Sequence, residues 1–466
     1  MTKMDDRFLI KPTQSKYDLI VIGSGPAGQR AAIQAAKLGK QVLIIEAQSM
    51  GGACLHLGTI PSKALREAAL AADKYQLEAV MNQTYQVIEE EREVIEDQLV
   101  RNRVEFVTGF GSFESKNTVI IENSLGRHRV LGDVVIIGVG TRPRRPEELN
   151  FDAITLFDSD TILKMKQLPR NMLVLGAGVI GCEYASIFAR MGVKVTLVES
   201  RPDMLRSIDR EIVATLLKHF EKSGIEVRLG TQFSQLKCIY GANGQAVASI
   251  DLTRDGHTET CLFDIVLYCL GRTGNFERLN LDAVGLETDD RGHISVNSHY
   301  QTSVPNIYAV GDIIGAPALA ASSSEQGRLA ALHAFTGQGA TFPDTFPYGI
   351  YTIPEISTVG VLEDQLKERG VKYVVGKASY SKLARGKILN DEFGFLKLII
   401  HARTRRVVGI HVIGTSATEL VHIGQVAMSF GATVDFFVDN VFNYPTLAEA
   451  YKVAAYNGVN KLKLLK

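Results

Sequence analysis

The sequence predicts an α/β protein made of two Rossmann-like βαβ units followed by a C-terminal α+β unit. Three observations carry that prediction. From Tyr17 to Glu46 an apolar run, a glycine cluster, an alanine-rich helical stretch and a second apolar run ending in an acid follow in order. The same order recurs from Asn171 to Glu199. After Tyr348 strands and helices mix to the end of the chain without a glycine fingerprint. The length of 466 residues agrees with about three domains at roughly 150 residues each.

In the first unit the strand Leu19–Ile22 runs straight into Gly23-Ser24-Gly25-Pro26-Ala27-Gly28, and Gln29 to Leu38 reads as a helix. Gly23 makes the tight turn, Gly25 lets a pyrophosphate approach the backbone, and Gly28 lets helix and strand pack closely. The helix N-terminus offers unpaired N–H groups to phosphate. A second strand, Gln41 to Ile45, ends in Glu46, whose carboxylate is placed to accept ribose hydroxyls. A lone glycine fingerprint is weak evidence, but strand, glycines, helix, strand and acid all stand here in sequence. In the second unit Met172–Leu175 leads into Gly176-Ala177-Gly178-Val179-Ile180-Gly181, a helix covers Cys182 to Met191, and Lys194 to Val198 ends in Glu199. An acid there favours a free 2′-hydroxyl, whereas Arg201 two residues on could reach a 2′-phosphate, so NAD and NADP both stay open.

Between the fingerprints, Ala64 to Val104 reads as helical and Thr118 to Ile137 as short strands, and the proline-bearing stretch Arg142 to Arg170 reads as a crossover. Asn306 to Asp312 reads as a strand ending in Gly-Asp, Ser322 to Phe335 as a helix and Gly337 to Tyr348 as a linker. The C-terminal part holds a strand at Phe395–Ile400 and helices around Ala417–Phe430 and Leu447–Tyr456. The run Glu89-Glu90-Glu91-Arg92-Glu93 reads as a solvated helix face.

Lys plus Arg equals Asp plus Glu at 51 each, which excludes the broad basic footprint of a nucleic-acid binder. The five cysteines form no CxxC pair and no zinc spacing. Cys182, Cys238, Cys261 and Cys269 sit among apolar residues and read as core, and reduced thiols fit a cytoplasmic compartment. Met1 to Lys16 lacks the apolar core of a signal peptide, and no run approaches the ~20 apolar residues of a membrane span. The expectation is a soluble cytoplasmic protein with no metal, membrane or nucleic-acid partner.

Two fingerprints in one chain with a further unit behind them resemble the pyridine nucleotide-disulfide oxidoreductase family, from Tyr17 nearly to the end. The resemblance implies a discontinuous FAD-binding domain at 1–150 and 276–345, an NAD(P)-binding domain at 151–275 and a dimerisation domain at 346–466 that builds a homodimer. It implies FAD at the first fingerprint and NAD(H) or NADP(H) at the second. Gly111 in a flavin-contacting turn, Asp312 in the ribityl-binding pair, Gly52, Cys54 and Ala320 beside the cofactor, and Gly271 closing the nicotinamide domain follow from the same match. Lys63 and Glu183 match a family ion pair beside flavin N5; an ordinary surface lysine is the alternative for Lys63.

The chain departs from the family's disulfide reductases at two places. Those enzymes carry two cysteines five positions apart, whereas this chain has Cys54 and Thr59, so no dithiol relay forms there. They carry His-Pro-Thr with a glutamate five residues after the histidine. Here the segment is Tyr444-Pro445-Thr446 with Glu449, and tyrosine, with a solution pKa of about 10, is a poor base near neutral pH. Both departures remove the disulfide half-reaction. The combination is similar to the branch of the family that performs Si-specific NAD(P)+ transhydrogenation, moving hydride between NADPH and NAD+ through FAD. Glu199 departs from what a dual-specificity site suggests. The alternative is an NAD(P)H oxidase or quinone reductase in which Cys54 is either a packing residue or a sulfenate-forming thiol. Tyr444 and Glu449 are candidates for the partner subunit's flavin, with packing as the alternative, and His56, His401, His411 and His422 read as structural.

Overall fold

A computed structural model describes residues 11–71, 77–240, 246–339, 341–343 and 345–464. These fall into two compact units. One is drawn from Met1–Ala153, Asp158–Lys166 and Leu270–Phe342, the other from Ile154–Phe157, Gln167–Cys269 and Pro343–Lys466.

The first unit is organised by a seven-stranded sheet. Its order is Glu105–Thr108, Val42–Glu46, Lys16–Ile22, Gly126–Ile137, Thr118–Asn123 and Phe110–Ser115, with Ile307–Ala309 also pairing with Gly126–Ile137. The central strands read Val/Ile/Leu because both their faces are covered: Leu19, Ile20, Val21, Leu43 and Ile44 are fully buried. The strand Gly126–Ile137 changes role along its length. Its start pairs antiparallel with Thr118–Asn123, and its end pairs parallel with Lys16–Ile22 and with Ile307–Ala309. The later segment thus adds a strand beside the first fingerprint. Helix Ala320–Thr336 packs on helix Pro26–Lys37 so closely that a Cβ on Gly327 would lie 2.0 Å from the Ala27 carbonyl oxygen.

The second unit carries the other parallel sheet, in the order Glu226–Leu229, Lys194–Glu199, Asn171–Leu175, Ile265–Tyr268 and Leu156–Asp158. A three-stranded antiparallel sheet, Gln232–Tyr240, Ala246–Arg254 and His257–Phe263, is inserted before Ile265–Tyr268. The C-terminal part is an antiparallel sheet of five strands covered by helices that include Ala417–Ser429 and Glu449–Lys463. The architecture is α/β, with two Rossmann-like folds and a C-terminal α+β part.

Some local expectations are corrected. The strand expected over Asn306 to Asp312 ends at Ala309, and Gly311–Ile314 is a turn of 3-10 helix entered through Gly311 at φ +78°. Within the acidic run, Arg92 is buried because it bridges Glu89 and Glu96 on the same helix, while the flanking glutamates stay exposed. Cys182 is buried, but Cys238 is exposed, and Cys261 and Cys269 are half-buried. Cys238 lies near the end of an edge strand whose last residues, Lys237 to Tyr240, have no covering layer.

A buried charge cluster ties the C-terminal sheet to the nucleotide fold within the second unit. The Lys397 ammonium, 1% exposed, contacts both Asp209 carboxylate oxygens at 2.9 and 3.0 Å, with Glu363 and Glu211 completing its surroundings. Asp209 caps helix Arg210–Lys222, accepting the N–H of Glu211 at 3.0 Å. Burial would raise the Asp209 carboxyl, but the charges and hydrogen bonds around it hold it low. Neighbouring His411 is fully buried, and burial pushes its pKa down to about 4. Lys397→Met leaves Asp209 buried without its cation and is expected to destabilise by roughly 3–5 kcal/mol, read as a lower midpoint in calorimetry. His411 is neutral in the fold, so its contribution is present above its ordinary pKa of 6.5 and is lost as pH falls toward 4. Between those pH values the thermal midpoint of the wild type falls more steeply than that of His411→Asn.

Candidate nucleotide sites and the Cys54 segment

In the first unit the strand Lys16–Ile22 ends at Gly23, at φ +104°, and helix Pro26–Lys37 begins with Gly25 as its N-cap. No side chain caps this helix and its first turn holds no acid, so its N–H groups and partial positive charge face outward. A Cβ on Gly25 would meet nothing within 4 Å, whereas one on Gly28 would lie 2.0 Å from the Gly23 carbonyl oxygen. Gly28 is therefore needed by the fold itself, and Gly25 keeps open the space in front of the helix. Glu46 closes the pocket. One carboxylate oxygen accepts the N–H and the hydroxyl of Ser24, both at 2.8 Å, and the other accepts the Gln48 N–H at 3.0 Å. The Ser24 hydroxyl also accepts the Gly51 N–H at 3.0 Å, joining the glycine turn to the start of helix Gly52–His56. Sequence reasoning missed Ser24, although its place between the two glycines gave it that reach.

The other residues expected around a flavin in this unit are placed as follows. Gly52, at φ +62°, would bring a Cβ to 3.2 Å from Gly25. Asp312 has the hydroxyls of Thr141 and Ser323 each at 3.4 Å. Gly111 packs on Ile22 and Ile45, and Gly271 stands at φ +101°. Lys63 lies on helix Thr59–Ala71, its ammonium 3.3 Å from the Ser62 hydroxyl. The Cys54 thiol is half-buried. Burial pushes its pKa up, the Thr59 hydroxyl hydrogen-bonds it and works the other way, and the Asp312 charge pushes it up further. His56 bonds the Met50 carbonyl at 2.8 Å, a structural role. A cavity of about 220 Å³ opens beside Cys54, with Arg30, Ile60, Glu91 and Ala320 in its wall. Arg30 and Glu91 carried no sequence signal, because only the tertiary fold brings their helices to Cys54. A bare helix N-terminus, the open space at Gly25 and a terminal acid fit the diphosphate and ribose of FAD.

The second unit repeats the geometry. Gly176 stands at φ +103°, Gly178 is the uncapped N-cap of helix Val179–Arg190, and a Cβ on Gly181 would lie 1.9 Å from the Gly176 carbonyl oxygen. The N–H of Ala177, between the glycines, donates to Glu199 at 3.1 Å, as Ser24 does to Glu46. Here an arginine is added. Arg201 holds Glu199 through its backbone N–H at 3.1 Å, Nε at 3.0 Å and Nη2 at 3.2 Å. Burial would raise the Glu199 carboxyl, but these bonds together bring it below its ordinary range. On the helix that follows the turn, Glu183 is buried and accepts the Tyr351 N–H at 2.9 Å, and Ser186 accepts the Ile353 N–H at 3.0 Å.

In the C-terminal part Tyr444 is 74% exposed, while Glu449 begins helix Glu449–Lys463 with its Oε2 buried and without a hydrogen-bond partner among the described residues. A cavity of about 630 Å³ borders this segment, lined by Arg385, Glu419, Ile423, Pro445 and Thr446 among others. Phe430 and Val441 expose 87% and 92% of their surface, the sort of apolar exposure that a partner covers. Among the described residues no helix is long and apolar enough to cross a membrane, and no group of three metal-ligating side chains forms.

Two matched Rossmann folds, with Cys54 beside the first, are the frame of a nucleotide-dependent oxidoreductase. Residues 17–327 match the pyridine nucleotide-disulphide oxidoreductase family and 346–455 match that family's dimerisation domain; the chain belongs to this family. It is 45% identical to the soluble pyridine nucleotide transhydrogenase of Mycobacterium bovis (strain BCG / Pasteur 1173P2), over 97% of this chain and 98% of that one. It is 41% identical to the protein of the same name from Shigella boydii serotype 18, over 97% and 100%. The HOCl-induced flavoprotein disulfide reductase RclA of Escherichia coli shares the fold, with a TM-score of 0.86 at 24% identity, over 97% of this chain and 100% of that one.

The two glycines of the first fingerprint separate folding from binding. Gly25→Ala is expected to fold with a normal thermal midpoint and to lose FAD, and Gly28→Ala to lower the midpoint itself. Flavin absorbance of the purified proteins and calorimetry after flavin removal check the pair.

Proposed function

We infer that the protein is an FAD-dependent NAD(P)+ transhydrogenase that moves hydride between NADPH and NAD+. The observation that carries this reading is the pair Cys54 and Thr59: the Thr59 hydroxyl hydrogen-bonds the Cys54 sulfur, and threonine stands where a disulfide reductase needs its second thiol. Its relatives of the same length, named soluble pyridine nucleotide transhydrogenases, support it.

Bound FAD would supply the hydride-transfer chemistry between nicotinamides, with no thiol relay needed. The chain's own residues supply position and charge. Gly23, Gly25 and the helix behind them would hold the cofactor's diphosphate, Glu46 its ribose, and Asp312 its ribityl chain. Gly176, Gly178 and Glu199 would hold the diphosphate and adenosine ribose of the exchanging nucleotide. Lys63 would offset the negative charge that hydride transfer brings to the flavin, the role that the family resemblance implies for it. Both nucleotides use this one site in turn, which gives ping-pong kinetics. Transfer on the Si face, a homodimer formed by residues 346–466 and a cytoplasmic location belong to the same reading. So does the division into FAD-binding residues 1–150 and 276–345 and NAD(P)-binding residues 151–275. Tyr444 and Glu449 fall at the dimer face, where Tyr444 provides contact area and no base.

The cavity beside Cys54 favours a second reading, an NAD(P)H oxidase or quinone reductase. The raised Cys54 pKa weighs against a thiolate nucleophile there.

The test is anaerobic NADPH oxidation with thio-NAD+ as acceptor, with oxygen, a quinone and lipoamide in parallel. Fast thio-NAD+ reduction with little turnover of the others is the expected outcome. Oxidation that depends on oxygen or quinone moves the protein to the second reading. Cys54→Ser is expected to keep thio-NAD+ reduction near the wild-type rate. Thr59→Cys is expected to stay inactive on lipoamide, because Tyr444 supplies no base; appreciable lipoamide turnover would refute that account.

A further inference from the structure

The two acids that end the nucleotide-binding strands have different company. Among the described residues every hydrogen-bond donor to the Glu46 carboxylate is neutral: the Ser24 N–H, the Ser24 hydroxyl and the Gln48 N–H. Around Glu199 the Ala177 N–H is kept, but the remaining bonds come from Arg201, with the Ser200 hydroxyl at 3.3 Å. The guanidinium spends its Nε and Nη2 on the carboxylate, and Nη1 makes no hydrogen bond among the described residues. The Glu199 side chain is 3% exposed and that of Arg201 52%, so the acid is fixed from behind and the cation stands at the solvent side. The loop itself is pinned. The Gly230 N–H donates to the Arg201 carbonyl at 2.8 Å and the Thr231 N–H to the Glu199 carbonyl at 3.0 Å, leaving the arginine side chain as the adjustable part. The next two arginines are engaged elsewhere: Arg206 and Arg210 both face Asp203, at 3.4 and 3.7 Å.

We propose that the Glu199–Arg201 pair lets this one site accept both 2′-hydroxyl and 2′-phosphate nucleotides. Glu199 accepts the ribose hydroxyls of NAD(H). For NADP(H), Arg201 keeps the carboxylate on one edge and offers Nη1 to the 2′-phosphate. The arginine thereby offsets the repulsion that a bare acid would impose on a phosphate dianion. A bidentate carboxylate grip with donors to spare is a property of guanidinium that lysine lacks. The proposal rests on the transhydrogenase reading for its physiological meaning, but its chemistry concerns adenosine recognition alone.

The test is therefore binding without hydride transfer. The flavin-loaded wild type, Arg201→Ala, Arg201→Lys and Glu199→Gln are titrated calorimetrically with adenosine 5′-monophosphate and with adenosine 2′,5′-bisphosphate. Arg201→Ala is expected to weaken the bisphosphate by about 10- to 100-fold, the loss of charge-assisted hydrogen bonds, and to move the monophosphate far less. Arg201→Lys falls between. Glu199→Gln shifts the preference the other way, weakening the monophosphate relative to the bisphosphate. A merely structural role moves both probes together in every variant. That result, or a wild type that does not bind the bisphosphate, overturns the proposal. Opposite shifts in a protein without thio-NAD+ reduction uphold it and sink the transhydrogenase reading instead.

Discussion

Both nucleotide folds depend on one close contact, between the first turn of a helix and the carbonyl of the glycine that ends the preceding strand. At Gly28 and at Gly181 a single added carbon would collide with that carbonyl. The contact fixes the angle at which each helix leaves its sheet. That angle aims the uncapped N–H groups into the space kept open by Gly25 and Gly178. It also puts the N–H between the glycines against the acid of the next strand, at 2.8 Å for Ser24 and 3.1 Å for Ala177. The uncapped helix start and the placing of the terminal acid are thus consequences of one packing constraint.

The helix that carries Cys54, Gly52–His56, is built onto the same turn. Ser24 links Glu46 to Gly51, and Gly52 lies against Gly25, so Cys54 is carried close to the first glycine turn. What the chain has given up is the chemistry at the end of that path. Burial and the Asp312 charge push the Cys54 pKa up, while the Thr59 hydroxyl, which hydrogen-bonds the sulfur, works the other way. With threonine at position 59, no second thiol stands there to form a disulfide with Cys54.

The features legible in the sequence are those set by short-range geometry. Glycine spacing, strand length and a terminal acid are all encoded within about thirty residues, so Gly23 to Glu46 and Gly176 to Glu199 could be read directly. Features made by distant segments could not. Lys397 meets Asp209 and Glu211 only after the C-terminal sheet has folded against helix Arg210–Lys222. The three-stranded insert escaped notice for another reason: Gln232 to Tyr240 is exposed along most of its length, so it lacks the alternation that marks a half-buried strand. Arg92 misled for the converse reason, since a charge read as solvated is buried once two glutamates on its own helix neutralise it.

On the proposed roles of Glu46 and of the Glu199–Arg201 pair, the difference between the two acids follows from what each site has to do. A cofactor that stays bound presents one ribose pattern for the life of the protein. Neutral donors that fix Glu46 suffice, because the carboxylate never meets a competing anion. A site through which two nucleotides pass meets a diol at one step and a phosphate at the next, and a buried bare acid would admit only the first. Removing the acid would admit the second and leave the diol unrecognised. Keeping the acid and clamping it with a half-exposed arginine satisfies both, since the pair is close to neutral and presents acceptor and donor together. The acid at Glu199, which alone argues for NAD, therefore has to be read with Arg201 as one group.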